Sequence, residues 1–271
     1  MNKNNRELQL ILFIVISYAH LWLLFGIGRL FDIQFSYNPA EPGGILVLIG
    51  VPASLIAVSF VTLITTGKEE LRQLFRHSLE WRFAPWWYLA SLLTPLLVAF
   101  VSGTAAVWIN KVKIADNWFS PSMPLGFMVF LLVYIGVGEE IGWRGFALPR
   151  FQRILGPLGG SIATGVFWAL WHLPLFLMPG SSQYGNSLIT FIYLLTCWTI
   201  PMAVFVGKSR GSVIPAILFH GSVNFLAFAI YYPYRYFYLF WGIAAIIGAV
   251  FLLREKSPMG KRSGLYERSD I

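Results

Sequence analysis

Three groups of proton-transferring side chains interrupt stretches of this chain that are otherwise apolar. The first is Tyr134–Arg144, YIGVGEEIGWR, which sets Glu139 and Glu140 side by side at the end of an apolar run. An acidic residue costs about 2.5–3.5 kcal/mol at mid-bilayer even on insertion scales, so two in a row need a reason. On a helix Glu140 and Arg144 share a face and can pair. Glu139 is turned about 100° from Glu140 by the helical period and is left free of that arginine. This makes Glu139 the working group and Glu140 and Arg144 its support; the plainer alternative is a set of solvated charges at a cytoplasmic helix end. The second group, FWALWHLP, carries His172 one turn after Trp168, with Pro174 expected to kink the helix just beyond. The third, FHGSVNF, puts His220 and Asn224 on one helical face. Each histidine alone reads as a buried ring donating to a carbonyl. Three ionisable features within four consecutive apolar spans shift the balance toward function. A desolvated carboxylate, two imidazoles and an amide meeting in one pocket are a set for general acid–base chemistry.

The elements that must carry these groups are membrane helices. Of 271 residues 57% are hydrophobic and 12% charged, against about 25% charged in soluble domains. Apolar stretches of about 20 residues cross a bilayer core, and eight are expected: 8–31, 44–66, 86–109, 124–143, 158–178, 186–206, 211–230 and 236–253. The first lacks a small-residue cleavage site and is read as a retained helix. The segments 1–7, 67–85, 144–157, 207–210 and 254–271 hold 16 of the 20 Lys and Arg. By the positive-inside rule both ends are then cytoplasmic in a cell membrane. The net charge of +8 is thereby accounted for by anionic headgroups, and no nucleic-acid partner is expected. Counting residues inward from Arg144 and Arg210 places the polar groups in a cavity opening toward the cytoplasmic leaflet, with a break at Gly159-Gly160 bringing His172 to the level of the others. KEELRQLFRHSLEWR, 68–82, reads as an amphipathic cytoplasmic helix with Leu71, Leu74, Phe75 and Leu79 beneath a charged face. Its His77 is expected to be solvated and inert, His20 a packing residue, and Cys197 a small buried hydrophobe. Aromatic clusters at 81–87 and 231–238 read as interfacial belts. The fold class is thus all-α and polytopic: one membrane domain over 1–253 and a basic tail over 254–271.

EEIGWR at 139–144 is similar to the EExxxR motif of the CAAX-protease and bacteriocin-processing family of intramembrane endopeptidases. WALWH at 168–172 resembles its FxxxH motif and HGSVN at 220–224 its HxxxN motif, in the family's order, over about 124–230. Trp168 stands where the family usually has phenylalanine, a departure expected to touch packing around the site. The resemblance implies an eight-helix fold and cleavage of a membrane-associated peptide substrate, in some members near a prenylated CaaX end. Glu139 with His172 would activate water, and His220 with Asn224 would stabilise the oxyanion. Two histidines and a glutamate can also hold zinc with an open position, through Glu139, His172 and His220. Against zinc stand the missing HExxH spacing and Asn224, a poor ligand but a good donor. The alternatives are an inactive scaffold or bacteriocin-immunity protein that binds in the same cavity, and a proton-coupled transporter, for which no inverted repeat is found.

Overall fold

The computed structural model describes residues 3–114, 116–230 and 236–255. Most of the tail and of the second aromatic cluster lie outside the described residues. Within them the chain is helical, with an isolated bridge between Phe119 and Ile230. The helices are α1 (Lys3–Leu30), α2 (Pro42–Gly50), α3 (Ala53–Thr65), α4 (Lys68–Ser78), α5 (Trp86–Asn110), α6 (Leu125–Glu140), α7 (Leu148–Trp171), α8 (Leu188–Lys208), α9 (Ile214–Ala229) and α10 (Phe237–Leu253). A π-helical stretch, Ile141–Ala147, joins α6 to α7, and a 3-10 turn, Leu173–Leu177, follows α7.

Among the described residues five helical segments are long and apolar enough to cross a membrane: Asn5–Leu30, Pro42–Thr65, Trp86–Asn110, Leu125–Leu177 and Leu188–Lys208. The fourth runs for 53 residues, about 80 Å at 1.5 Å per residue and far more than one ~30 Å crossing. It breaks at Gly156, whose φ of 75° and ψ of 173° are non-helical. That φ is open to glycine, and Pro157 supplies no N–H to carry the helix across. The break therefore precedes the Gly159-Gly160 pair where it was expected. Pro174 also acts differently from expectation. It lies in the 3-10 turn, so α7 stops at Trp171 and His172 caps it instead of sitting inside a kinked span.

The outward faces are apolar, with Leu23 and Ile27 on α1, Leu93 and Leu97 on α5, and Ile246 and Ile247 on α10 exposed. A surface this apolar is stable against lipid, not water; this is a membrane protein. Inside, α6 packs on α9, and α7 on α8. Trp198, Phe219, Phe237 and Trp241 interlock between α8, α9 and α10. Trp143 and Trp171 close the other side against Phe13 of α1. The strong side-chain demand at these joints leaves little freedom in how α6, α7 and α9 face one another.

Helix α4 forms over Lys68–Ser78, with Leu74 and Ser78 buried. Its hydrophobic side rests on the protein: the Ser78 carbonyl accepts from Val213 N at 2.8 Å. Leu79 falls beyond the helix and is exposed. His77 is half-buried against Gly211, not a solvated ring.

Candidate active site

The last turn of α6 and the π-helical stretch after it bury all three charges of the first motif. Glu139 is 4% exposed, Glu140 0% and Arg144 1%. They are core residues, not headgroup charges. Widening from α to π geometry disturbs the i to i+4 ladder, and such turns gather at functional sites. Here Ser54 Oγ of α3 stands 2.9 Å from the Gly138 carbonyl and 3.0 Å from that of Glu139, donating between them. The approach is possible because residue 142 is glycine: a Cβ there would lie 2.6 Å from Ser54 Oγ. The backbone of Glu139 is thus held by a neighbouring helix.

Glu140 and Arg144 pair as their spacing predicts, Arg144 Nη1 lying 3.1 Å from Glu140 Oε1. The guanidinium is held further by Thr199 Oγ1 at 2.9 Å and Met202 Sδ at 3.2 Å, both on α8. Glu140 has a second partner that spacing could not reveal. Its Oε1 accepts from His220 Nδ1 of α9 at 2.8 Å. The carboxylate fixes that ring and leaves Nε2 as the nitrogen that can meet another molecule.

Glu139 is separated from this pair and answers to α7. Trp168 Nε1 donates to Glu139 Oε2 at 2.8 Å. The same indole lies under Arg144, whose Cζ is 3.9 Å from the ring centroid, and meets the His220 ring edge-on at 5.2 Å. Trp168 is therefore a direct partner of the candidate base and a spacer between the two carboxylate systems, more than packing. His172 Nδ1 donates to the Trp168 carbonyl at 2.8 Å. A carbonyl only accepts, so Nδ1 carries the proton and Nε2 presents its lone pair. That Nε2 is 3.9 Å from Glu139 Oε2: too far for a direct hydrogen bond, close enough for one water to bond both.

Asn224, one turn beyond His220, lines a cavity of about 510 Å³ together with His172, His220 and Trp168. A smaller one of about 90 Å³ adjoins it through His172, His220 and Asn224 and reaches Glu139. Tyr37 and Gln183, which no spacing argument singled out, line both. Burial raises the Tyr37 phenol above its ordinary value, with the Glu139 carboxylate adding to the effect. Tyr37 therefore stays protonated as a donor. Both residues sit on loops between helices, where periodicity carries no information about tertiary neighbours.

The larger cavity is lined by Ser182, Gln183, Asn186 and Ser187, from the segment between the 3-10 turn and α8. Phe35 N bonds the Pro179 carbonyl at 2.8 Å, so the 31–41 and 178–187 loops lie at one end of the bundle. That is not the end toward which the cavity was expected to open. The expectation measured depth from Arg144 as if it marked the membrane boundary, and Arg144 is buried in the core.

A zinc ion holds its protein nitrogens and oxygens at about 2.0–2.2 Å from one point. Among the described residues no group of three or more His, Cys, Asp or Glu side chains is arranged to hold a metal ion. Of the three expected ligands, Glu139 Oε2 is engaged by the Trp168 indole N–H. The expected ligands Glu139, His172 and His220 are not arranged to fit zinc.

Fold and site together define a polytopic helical membrane protein with a buried carboxylate–imidazole centre. Residues 121–226, which hold all three motifs, match the family described as type II CAAX prenyl endopeptidase Rce1-like. The chain is 36% identical over 112 residues to a CAAX prenyl protease 2 of Methanococcus maripaludis, across 39% of this chain and 41% of that protein. It thus spans about two fifths of the length of the curated relative it matches. The likeness to type II CAAX proteases read from the motifs stands for that stretch of the chain.

Proposed function

We propose that this protein is an intramembrane endopeptidase that hydrolyses a peptide bond of a membrane-associated substrate with water activated by Glu139. The observation that carries the reading is the pair formed by Glu139 Oε2 and His172 Nε2, 3.9 Å apart where two cavities meet. A water bonded to both loses its proton to Glu139 as its oxygen attacks the scissile carbonyl. The oxyanion so formed accepts from the Asn224 amide, and from His220 Nε2–H once that ring, whose Nδ1–H is held by Glu140, carries a second proton as the imidazolium. Such a donor is worth about 3–4 kcal/mol in soluble proteases. Glu139 then returns its proton to the departing amine as the C–N bond breaks, leaving an acid and a free amine. Arg144 and Glu140 hold the His220 ring, and Trp168 and Ser54 hold Glu139. The name of the Methanococcus relative makes a CaaX-type C-terminal end one substrate class for a comparison of peptide termini to include.

Eight crossings in the membrane are consistent with this core. Division of the 53-residue segment at Gly156 raises five apolar segments to six, and α9 and α10, shorter at 16 and 17 residues, bring eight. With eight crossings both ends lie on one side, and the Lys and Arg distribution makes that side cytoplasmic.

Glu139→Gln tests the assignment, because it keeps side-chain volume and removes the base. Peptide termini of membrane proteins are compared between cells with the wild-type protein and with the variant. The expected result is a set of termini lost in the variant, and a fall of about 10²–10⁴-fold in cleavage of any such substrate in proteoliposomes. Identical termini and unchanged cleavage, with the variant stably folded, refute it.

A further inference from the structure

The larger cavity identifies the side of the membrane from which a substrate can come. Its loop residues, Ser182, Gln183, Asn186 and Ser187, belong to the segment joining α7 to α8, and Tyr37 to the loop before α2. Ser182, Asn186 and Ser187 are exposed, so the cavity opens among them. Direct contacts gather the other loops of this end. Tyr37 packs edge-on against Phe228 at 5.1 Å, and Ser120 N and Ser122 N bond the carbonyls of Ala229 and Phe228 at 2.9 and 2.8 Å. Loops 31–41 and 178–187, the stretch 116–124 and the end of α9 therefore form the face around the mouth.

The opposite face is joined as firmly. Val213 N bonds the Ser78 carbonyl at 2.8 Å, Gln9 bridges Thr65 and Arg150 at 2.7 Å each, and Lys208 pairs with Glu255 at 2.9 Å. Among the described residues this face bears the segments 3–7, 67–85, 144–157, 207–210 and 254–255, with 12 Lys and Arg, whereas the mouth face has Arg29, Lys111 and Lys113. Buried Arg144 leaves that count without altering the balance. Short loops rich in Lys and Arg stay in the cytoplasm during insertion. The mouth is at the other end.

We infer that the cleft opens on the extracytoplasmic face of the membrane and takes an uncharged stretch of polypeptide presented from that side. The second half follows from the lining. Hydroxyls and amides (Ser182, Gln183, Asn186, Thr190) alternate with aromatic rings, and no Lys, Arg or Asp lines the cavity among the described residues. Such groups pair with backbone amides and hydroxyls, and a charged side chain entering there would lose water without meeting a counter-ion. The peptide class rests on the peptidase reading above; the side of the opening does not. A prenylated C-terminus made in the cytoplasm approaches from the wrong face. The fitting substrate is an exported or membrane-anchored precursor with a neutral segment outside the membrane.

The test is thiol accessibility in intact bacterial cells. Cys197→Ala removes the single cysteine, and Ser182→Cys, Asn186→Cys and Arg76→Cys are made separately in that background. Each is treated with a membrane-impermeant maleimide before and after permeabilisation, and fully labelled in detergent to normalise for folded protein. Positions 182 and 186 should react in intact cells, and position 76, on α4, only after permeabilisation. The reverse pattern, or no reaction at 182 and 186 on either side, overturns the inference. The termini lost with Glu139→Gln supply the second arm. They should come from extracytoplasmic segments free of charged residues beside the cut; cytoplasmic cut sites overturn it. Labelling from outside with no lost termini leaves the orientation standing and removes the peptidase.

Discussion

Trp168→Phe isolates the contact in which this chain departs from the usual motif. The substitution keeps an aromatic ring at the position and deletes the indole N–H that reaches Glu139 Oε2 at 2.8 Å. A hydrogen bond to a charged group contributes about 1.5–3 kcal/mol. At 1.36 kcal/mol per decade, its full loss from the reacting state slows turnover by about 10–150-fold. The effect falls on kcat more than on KM, because the lost bond positions the base. Packing loss accompanies it, since Trp168 is 1% exposed and stacks beneath Arg144. That loss should stay below the about 3–5 kcal/mol of truncating a buried tryptophan to alanine. Trp241→Phe supplies the control: Trp241 is 0% exposed and packs on Trp198, Phe219 and Phe237, away from Glu139. Both variants are purified, their thermal midpoints measured in detergent, and steady-state cleavage followed in proteoliposomes on a substrate found by the termini comparison. Similar losses of stability with a kcat fall confined to Trp168→Phe are expected. Equal kcat for the two variants refutes the positioning of Glu139 by the indole.

Two further predictions concern the charges. Glu140→Gln removes the carboxylate that holds both Arg144 and His220 and leaves a buried guanidinium uncompensated. Breaking a buried pair in this way costs about 3–5 kcal/mol, so folded yield in detergent should drop sharply. Glu140→Gln combined with Arg144→Met should recover much of that yield but not cleavage, and equal yields for single and double variants would count against the pair. On α4, burial lowers the His77 value below its ordinary 6.5, against smaller opposing effects of the Arg210 backbone and Glu80. The undocked imidazole then binds the proton more readily than the docked one. Docking of α4 is fully favoured above about pH 6.5 and weakens as pH falls from 6.5 toward the lowered value. Amide exchange of α4 should speed up between pH 7 and pH 5.5 in the wild type relative to His77→Gln, and parallel profiles would rule the linkage out.

How much of this was legible beforehand follows from what a linear chain encodes. Apolar runs and the clustering of Lys and Arg are local properties, so the helical membrane class and a polar centre shared by α6, α7 and α9 could be read directly. The Glu140–Arg144 pair was readable too, because residues four apart on a helix are neighbours whatever surrounds them. The break at Gly156 was missed in favour of the next glycines, since Gly and Pro weaken a helix wherever they occur and only packing selects which site yields. Only the tertiary structure could join His220 to Glu140 across 80 positions and Trp168 to Glu139 across 29. It also brought Tyr37 and Gln183 to the cavity and turned the mouth toward the face poor in Lys and Arg. These are contacts between elements, set by how helices cross and by which small residues admit close approach, and no periodicity within one helix records them.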